Sequence, residues 1–331
     1  MTGLVKAIIG AQYPSKEAFD ENRSGFETLK KYISDADKDV QPPHWELASV
    51  TDKRGYYNIV VLSYWPSNET FDHWKDESGF NTWWESLNPE DTEHGCGFFL
   101  EVLTPTLDRF ETVFSNNEVP EGAANMREKI SGEMAEHAYW GSMRDRLALA
   151  QIDNLEGKKW ITSPMESDLP TSNEQDDAKK KRIKVEPKHN LCIIRSGQDW
   201  SATLPSERDL YLSTMHPVLI TGMTFLRDHG AEVGCYSMSL MDVLDPSTYE
   251  SNQERTFGLG YFDDIANLEY WSKSHQTHID IFGGFLKYAK KLDNVLSLRL
   301  FHEIFVLERG MQRFEYVGCH GETGMLNSLR G

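Results

Sequence analysis

Two histidines in the last quarter of the chain have surroundings that suit proton transfer or metal binding. His302 lies in the apolar segment LRLFHEIFV, where alternation predicts a strand with His302 on the same face as Leu300 and Ile304. His278 follows His275 by three residues, near a predicted helix start. A neutral imidazole can ligate a metal ion or exchange a proton near neutral pH. By its position alone, His302 is either a hydrogen-bonded core residue or a group that lines a cavity.

The segments that carry these histidines repeat a pattern from the N-terminal part of the chain. Residues 60–83 align without a gap on residues 257–280, so that Tyr64 falls on Tyr261. The segments that follow also match, because FLEV in the first copy falls on FHEI in the second. Both copies predict the order strand, helix, strand, strand.

This repetition predicts an α+β fold. We expect two ferredoxin-like repeats that form an antiparallel β-barrel of the dimeric-α/β-barrel type, flanked by helices. The first repeat spans residues 1–118 and the second, which carries the histidines, spans residues 190–331. We expect the two repeats and the segment between them to form one compact unit.

Residues 119–189, between the repeats, predict a helical insertion followed by a polar surface loop. Over residues 121–151, apolar side chains such as Met126 and Ile130 recur at spacings typical of a helix. Residues 164–188 are rich in Ser, Pro, Asp and Lys, and their basic run KKKRIKV is typical of a solvated patch.

The two copies differ where the chemistry is expected. His278 takes the place of Asn81 in the first copy, and His302 takes the place of Leu100. Histidine is a common axial ligand of haem iron. The residues alone therefore predict one haem or metal pocket per chain, in the second repeat. A further histidine, His320, is flanked by turn residues in GCHG and is expected to hydrogen-bond backbone in a structural role.

Composition excludes several classes of protein. The 331-residue chain has a formal net charge of −18, which argues against nucleic-acid binding because that depends on basic side chains. We find no run of apolar residues long enough to span a membrane and no features of a signal peptide, so we expect a cytoplasmic protein. The four cysteines form no CxxC pair, which argues against a zinc site, a disulfide framework or covalent haem attachment.

Several long segments of the chain closely resemble the aldoxime dehydratases, and among these the phenylacetaldoxime dehydratases most of all. They include KISGEMAEHAYWGSMRDR, NLCIIRSGQDW, WSKSHQTHIDIF and LRLFHEIFV, and the resemblance runs from about residue 50 to the C-terminus. It implies a homodimer with a b-type haem that is active in the ferrous form. It also implies a lyase that converts an aldoxime, R–CH=N–OH, to a nitrile and water.

The resemblance also implies roles for five residues. His278, the second histidine of SHQTH, matches the axial ligand of the haem iron, and His302 matches the distal histidine that acts as general acid and base. Ser196 matches a serine that hydrogen-bonds the substrate, while Arg146 and Glu111 match residues of the distal polar network. The choice of His278 over its neighbour three residues earlier rests on the resemblance, because both lie on a similar helix face.

Two other functions remain open from the sequence. One is a haem-binding homologue without dehydratase activity. The other is a peroxidase-like or chlorite-dismutase-like haem enzyme on the same barrel, in which a distal arginine would be expected to act on the substrate. The pair of His302 and Ser196 favours aldoxime dehydration over the second alternative.

Overall fold

The computed structural model describes residues 3–90, 94–135, 139–160 and 177–330. Its strands alternate with helices along most of the chain. The strands are β1 (Val5–Tyr13), β2 (His44–Thr51), β3 (Tyr57–Trp65), β4 (Gly97–Leu103), β5 (Phe110–Phe114), β6 (Arg182–Val185), β7 (Leu191–Asp199), β8 (Cys235–Leu244), β9 (Arg255–Phe262), β10 (Arg299–Leu307) and β11 (Gln312–Val317).

The helices fall into two groups, one within each half of the chain. They are α1 (Lys16–Glu21), α2 (Ser24–Ser34), α3 (Asn68–Glu77), α4 (Phe80–Ser86), α5 (Pro205–Leu210), α6 (His216–His229), α7 (Ile265–Ser274) and α8 (Gln276–Lys291). A π-helical turn, Tyr211–Met215, joins α5 to α6. Within the described residues, no helix has both the length and the apolar character needed to cross a membrane.

The strands join in one antiparallel sheet with the order β5-β10-β7-β9-β8-β2-β3-β1-β4-β11-β6. The first half supplies β2-β3-β1-β4 and the second half supplies β8-β9-β7-β10, so corresponding strands hold corresponding places. Strands β5 and β11 each cross to the opposite half, where β5 pairs with β10 and β11 pairs with β4. The order strand, helix, strand, strand occurs twice, as the sequence repeat predicts.

Two reciprocal hydrogen bonds cross the concave face of this sheet. The Tyr64 hydroxyl of the first half donates to Glu303 Oε1 of the second half at 2.6 Å. The Tyr261 hydroxyl of the second half donates to Glu101 of the first half. All four side chains are buried among apolar residues drawn from both halves. The sheet is therefore curled so that its two halves face each other.

Helix α8 carries His278 close to its N-terminus. The helix begins after His275, which is its N-cap, and ends with two lysines in its last turn, where positive charge is favourable. It packs on α6, α7 and the π-helical turn. Its buried residues, Tyr288 and Ala289, lie near its C-terminal end. The earlier turns of α8 therefore keep a partly exposed face.

Residues 121–151 do not form the long helix that their apolar spacing predicts. Where they are described, they form short 3₁₀ turns at Gly122–Met126, Met143–Arg146 and Leu149–Gln151, joined by irregular chain. Ala123 packs inside the curled sheet, whereas Met143 packs on its helix-covered side. A single helix presents one apolar stripe and could not serve two cores on opposite faces of a sheet.

The basic run before β7 differs from its prediction as well. Arg182–Val185 forms the edge strand β6, which pairs with β11, rather than a part of a solvated loop. Charged side chains such as Lys184 are common on edge strands because they discourage pairing with another chain. Most of the polar loop predicted at 164–188 lies outside the described residues, and so does His137 of the predicted helical insertion.

Candidate active site

His302 belongs to a row of side chains that crosses the helix-covered face of the sheet. In the strand register it lies opposite Val113 of β5 on one side and Ser196 of β7 on the other. Ser196 lies opposite Gly258 of β9 in turn. The next two positions in the row after His302, Ser196 on β7 and Gly258 on β9, are therefore small residues. Ser196 is partly exposed.

The alternation of β10 places His302 and Glu303 on opposite faces of the sheet. Ile304 packs in the cluster beneath the helices, whereas Phe301 packs in the interior cluster. Glu303 faces the interior, where Lys6 Nζ lies 2.6 Å from Oε1. The structure thus confirms that His302 shares a face with Ile304, as the strand pattern predicts.

His302, Glu111 and Arg146 form a compact hydrogen-bonded group. His302 Nε2 lies 2.9 Å from Glu111 Oε1, and Arg146 Nη2 lies 3.2 Å from the same ring nitrogen. The Arg146 guanidinium donates to both oxygens of Glu111, through Nε and Nη2, each at 3.0 Å. This two-point geometry is the strongest form of an arginine–carboxylate pair.

The charges of this group are almost completely removed from water. The side chains of Arg146 and Glu111 are 3% and 2% exposed. Burial raises the pKa of the Glu111 carboxyl, but His302 and Arg146 lower it by more, so its pKa falls below the usual value. Glu111 is therefore held as a carboxylate that can only accept hydrogen bonds.

Trp140 contacts His302 from the segment that leads to Arg146. The two rings meet edge to face, with their centroids 5.3 Å apart. The backbone carbonyl of Trp140 accepts a hydrogen bond from Arg146 Nη2 at 2.8 Å. Sequence reasoning missed Trp140 as a site residue. The only signal was its place in the segment AYWGSMRDR, six residues before Arg146.

His278 lies on α8 with its ring packed edge-on against Trp271, centroid to centroid 4.7 Å. Its Nδ1 atom is buried, while the residue as a whole is partly exposed. Burial lowers the pKa of His278 to about 4, with the Ser272 backbone carbonyl opposing that shift and His302 adding to it. The imidazole is therefore neutral near pH 7.

His275 is occupied in a different way. Its Nδ1 accepts from the Thr277 backbone N–H at 3.4 Å and lies 2.9 Å from the Thr277 hydroxyl. Its ring stacks on Phe225 with the centroids 4.1 Å apart. These contacts make His275 the N-cap of α8 and commit Nδ1 to the helix end.

The surroundings of His278 fit a haem group. Three apolar side chains of α8 remain 41–53% exposed and lie within eight residues of His278: Ile279, Phe282 and Leu286. A neutral imidazole next to apolar surface is the donor set that a haem requires. By contrast, the described residues include no group of three or more His, Cys, Asp and Glu side chains that could hold a bare metal ion.

Two openings of the described structure do not coincide with the histidine pair. One, of about 430 Å³, lies between β2 and β8 and is lined by Glu101, Asp52 and His320. The other, of about 500 Å³, lies between β5 and residues 123–134 and includes Glu111 in its lining. Neither opening joins His278 to His302.

His320 has a structural environment, as the sequence predicts. Its Nε2 lies 2.8 Å from Asp52 Oδ2, and its Nδ1 accepts from the Glu322 backbone N–H at 3.1 Å. It is 1% exposed. These bonds tie the chain after β11 to the end of β2.

Comparison with known families and structures places this arrangement among characterised proteins. A family model described as haem-containing dehydratase matches residues 7–325. The aliphatic aldoxime dehydratase of Rhodococcus erythropolis is 34% identical over 324 residues, which cover 98% of this chain and 86% of that protein. The phenylacetaldoxime dehydratase of Bacillus sp. strain OxB-1 is 32% identical over 326 residues, covering 98% and 88%.

Solved structures show the same likeness in three dimensions. A crystal structure of an aldoxime dehydratase in complex with butyraldoxime superposes with a TM-score of 0.85 at 33% identity. The superposition covers 98% of this chain and 85% of that one. A second aldoxime dehydratase structure gives a TM-score of 0.84 at 31% identity.

Proposed function

Because the chain belongs to the haem-containing dehydratase family, we propose that it converts an aldoxime, R–CH=N–OH, to a nitrile and water. The observation that carries this proposal is the buried group of His302, Glu111 and Arg146 on the helix-covered face of the sheet. His278 lies among those helices, where the Trp271 ring that it contacts packs in the same cluster as Ile304 of β10. Relatives named for aliphatic aldoximes and for phenylacetaldoxime have nearly equal identity to this chain, 34% and 32%. The proposal therefore extends to aldoximes as a class.

His278 is the residue that we propose as the axial ligand of the haem iron. Its lowered pKa keeps the ring in the neutral form that a metal requires. Its buried Nδ1 faces the protein, which leaves Nε2 as the ligating atom. In His275, Nδ1 accepts the Thr277 N–H, so the neutral ring carries its proton on Nε2 and has no lone pair there for iron. The haem would be held without covalent bonds, as a b-type haem, because the chain has no CxxCH segment.

A ferrous haem held by His278 would supply an iron centre able to bind the aldoxime nitrogen and to donate electron density toward the N–O bond. Hydroxide is a poor leaving group, so the departing oxygen must be protonated. The imidazolium form of His302, which Glu111 stabilises, is the proton donor. The neutral ring then accepts the proton from the aldoxime carbon, so that the imidazolium is restored and one water is released. This use of one imidazole as acid and then base is typical of histidine.

The contacts of His302 indicate which ring nitrogen moves the proton. Glu111 is a carboxylate and can only accept, so the 2.9 Å contact places a proton on Nε2. That bond fixes the orientation of the ring and leaves Nδ1 to serve the substrate. Glu111 also stabilises the charged imidazolium. Arg146 holds Glu111 in place through its two-point contact.

Ser196 is positioned to orient the substrate hydroxyl. It lies beside His302 on the neighbouring strand and on the same face. Residues directly opposite each other on antiparallel strands have Cβ atoms about 4.5–5.5 Å apart, which lets both side chains contact one small group. Its hydroxyl can therefore donate to the oxygen that leaves.

A peroxidase-like function is the second candidate, and the position of Arg146 beside His302 is what favours it. A distal arginine that serves a peroxide must have donors available to the ligand. In this structure Nε and Nη2 bind Glu111, and Nη2 also donates to the Trp140 carbonyl. Arg146 is thus engaged as a support for Glu111, which favours the dehydratase.

We also propose that the two halves, residues 1–118 and 190–331, are ferredoxin-like repeats of one duplicated unit whose curled sheet approaches a barrel. The shared strand order of the halves and the reciprocal bonds of Tyr64 and Tyr261 support this. A homodimer is the assembly implied by the family resemblance, and its mass in solution tests it.

The purified protein itself tests the proposed function. We expect a haem absorbance band and, after reduction with dithionite, formation of phenylacetonitrile from phenylacetaldoxime or of butyronitrile from butyraldoxime, measured by chromatography. A haem-loaded, reduced protein that forms no nitrile from either aldoxime would contradict the dehydratase proposal. Turnover of hydrogen peroxide by that protein would support the second candidate instead.

A further inference from the structure

Residues 139–142, here called the strap, touch both sides of the space between the two histidines. The Trp140 ring meets His302 of the sheet, and the Tyr139 ring meets Phe282 of α8 edge to face with the centroids 5.5 Å apart. Phe282 lies four residues after His278, so the two share a face of the helix. Two neighbouring aromatic residues of the strap thus contact strand β10 and helix α8.

The strap is fixed by hydrogen bonds rather than being a loose loop. Arg146 donates to the carbonyl of Trp140 at 2.8 Å and to the carbonyl of Ser142 at 3.3 Å. A turn forms where the Ser142 N–H donates to the Tyr139 carbonyl at 3.1 Å. The next residue, Met143, is buried beneath the helices. The guanidinium that supports Glu111 therefore also holds the strap.

Trp140 has surface to offer a substrate. It is only partly buried, although one edge contact already joins it to His302. The indole is large and has few rotatable bonds, so it forms a firm wall. In an aldoxime the hydroxyl and the substituent R are separated by only the C=N bond. A substrate whose hydroxyl reaches His302 therefore brings R close to the Trp140 ring.

We propose that Trp140 is a specificity-determining residue, which limits the bulk of the aldoxime substituent that fits beside His302. This inference rests on the proposed function. Tyr139 packs on Phe282 of α8 instead, so we expect it not to meet the substituent. Substrates with small linear substituents pass the indole, whereas a bulky group at the first carbons meets the ring and lowers kcat/KM.

Turnover of two aldoximes tests the inference. We expect the ratio of kcat/KM for phenylacetaldoxime to that for acetaldoxime to rise roughly tenfold or more in Trp140→Ala, which is the scale of discrimination by pocket volume. Trp140→Phe should give a smaller rise, and the matched control Tyr139→Ala should leave the ratio unchanged. An unchanged ratio in Trp140→Ala, or an equal rise in the Tyr139 variant, overturns the inference while nitrile formation stands.

A second measurement separates this inference from the proposed chemistry. Imidazole and 4-phenylimidazole bind haem iron and shift its absorbance without any turnover. We expect Trp140→Ala to tighten binding of 4-phenylimidazole roughly tenfold relative to imidazole, even if the protein dehydrates no aldoxime. Equal changes for both probes overturn the inference. A protein that takes up no haem overturns both this inference and the proposed function.

Discussion

His302 differs from the other buried histidine of the described structure, His320, in what surrounds its carboxylate partner. Both rings contact a carboxylate at 2.8–2.9 Å. The partner of His302 is in turn held by Arg146, on the face of the sheet that the second-half helices cover. The Nδ1 of His320 instead accepts a backbone N–H, so neither of its ring nitrogens remains for a substrate.

Replacing His302 by Ala should abolish most turnover and leave the haem in place. General acid–base help contributes about 10²–10⁴ in rate, so we expect kcat to fall by that factor. The measurement is kcat per haem, with the haem content taken from the absorbance band. The matched control is His320→Ala, which removes a buried histidine of the same type and should lower stability without changing kcat per haem. A haem-loaded His302 variant with normal turnover would contradict the assignment.

Replacing His278 by Ala should have the opposite pattern. Without its axial imidazole the protein should not retain haem through gel filtration, because the apolar contacts alone do not ligate iron. Addition of free imidazole should restore part of the absorbance band by occupying the same position. A variant that retains haem with an unchanged spectrum would show that another residue is the ligand.

Glu111→Gln should change how stability depends on pH. The pKa of Glu111 is lowered in the folded protein, so its ionised form stabilises the fold fully above the unfolded pKa near 4.5. That contribution is lost as the pH falls through the folded pKa. We therefore expect the variant to be less stable at neutral pH, by about 3–5 kcal/mol for a broken buried pair. The gap should narrow below pH 4.5. Urea unfolding from pH 3 to pH 7 measures this difference in the free energy of unfolding between the unchanged protein and the variant. A difference that stays constant with pH would argue that Glu111 is not ionised.

At the scale of elements, the start of α8 distinguishes His278 from His275. The helix starts immediately after His275, so that residue lies at the cap and His278 lies within the first turn. A spacing of three residues would keep both on one face if the helix extended over both. The helix boundary therefore separates two residues that periodicity alone treats as equivalent.

Variants of His275 test this boundary. His275→Asn should preserve the cap, because Asn is a favoured N-cap residue, whereas His275→Ala should lower stability by about 1 kcal/mol. Both variants should keep the haem spectrum of the unchanged protein. Chemical unfolding and absorbance spectra measure the two effects. Loss of haem from the Asn variant would move the ligand assignment to His275.

At the scale of the whole molecule, the two halves are held by polar contacts in an otherwise apolar interior. Tyr64 and Tyr261 occupy matching strands and donate to matching glutamates, each in the opposite half. Neither carboxylate can reach water, so each hydroxyl removed leaves a buried acceptor with fewer donors. The halves are thereby held in one relative position.

Tyr64→Phe and Tyr261→Phe should each lower the free energy of unfolding by about 1–3 kcal/mol without changing haem content. The matched control is Tyr211→Phe, since the Tyr211 hydroxyl is buried without a hydrogen-bond partner among the described residues. That control should be neutral or stabilising. Urea unfolding compares the three variants, and equal effects for all of them would argue that the bonds across the interior contribute little.

Much of this protein follows from its sequence. Alternation in LRLFHEIFV indicates the strand and the face of His302, and the internal repeat indicates which elements recur. The pair His278 and His302 stands out because the first copy has Asn81 and Leu100 instead. These features depend on residues close together in the chain or on matching segments, so periodicity and comparison suffice to find them.

Other features depend on contacts between distant parts of the chain, and only the tertiary structure decides them. Residues 121–151 have a helical apolar pattern, yet their side chains are divided between two cores on opposite faces of the sheet. Trp140 contacts His302 although 162 positions of sequence separate them, and Arg146 holds the Trp140 backbone carbonyl by a hydrogen bond. The capping role of His275 depends on where α8 begins. Local propensity contributes tenths of a kcal/mol per residue, and burial of side chains from several elements outweighs it.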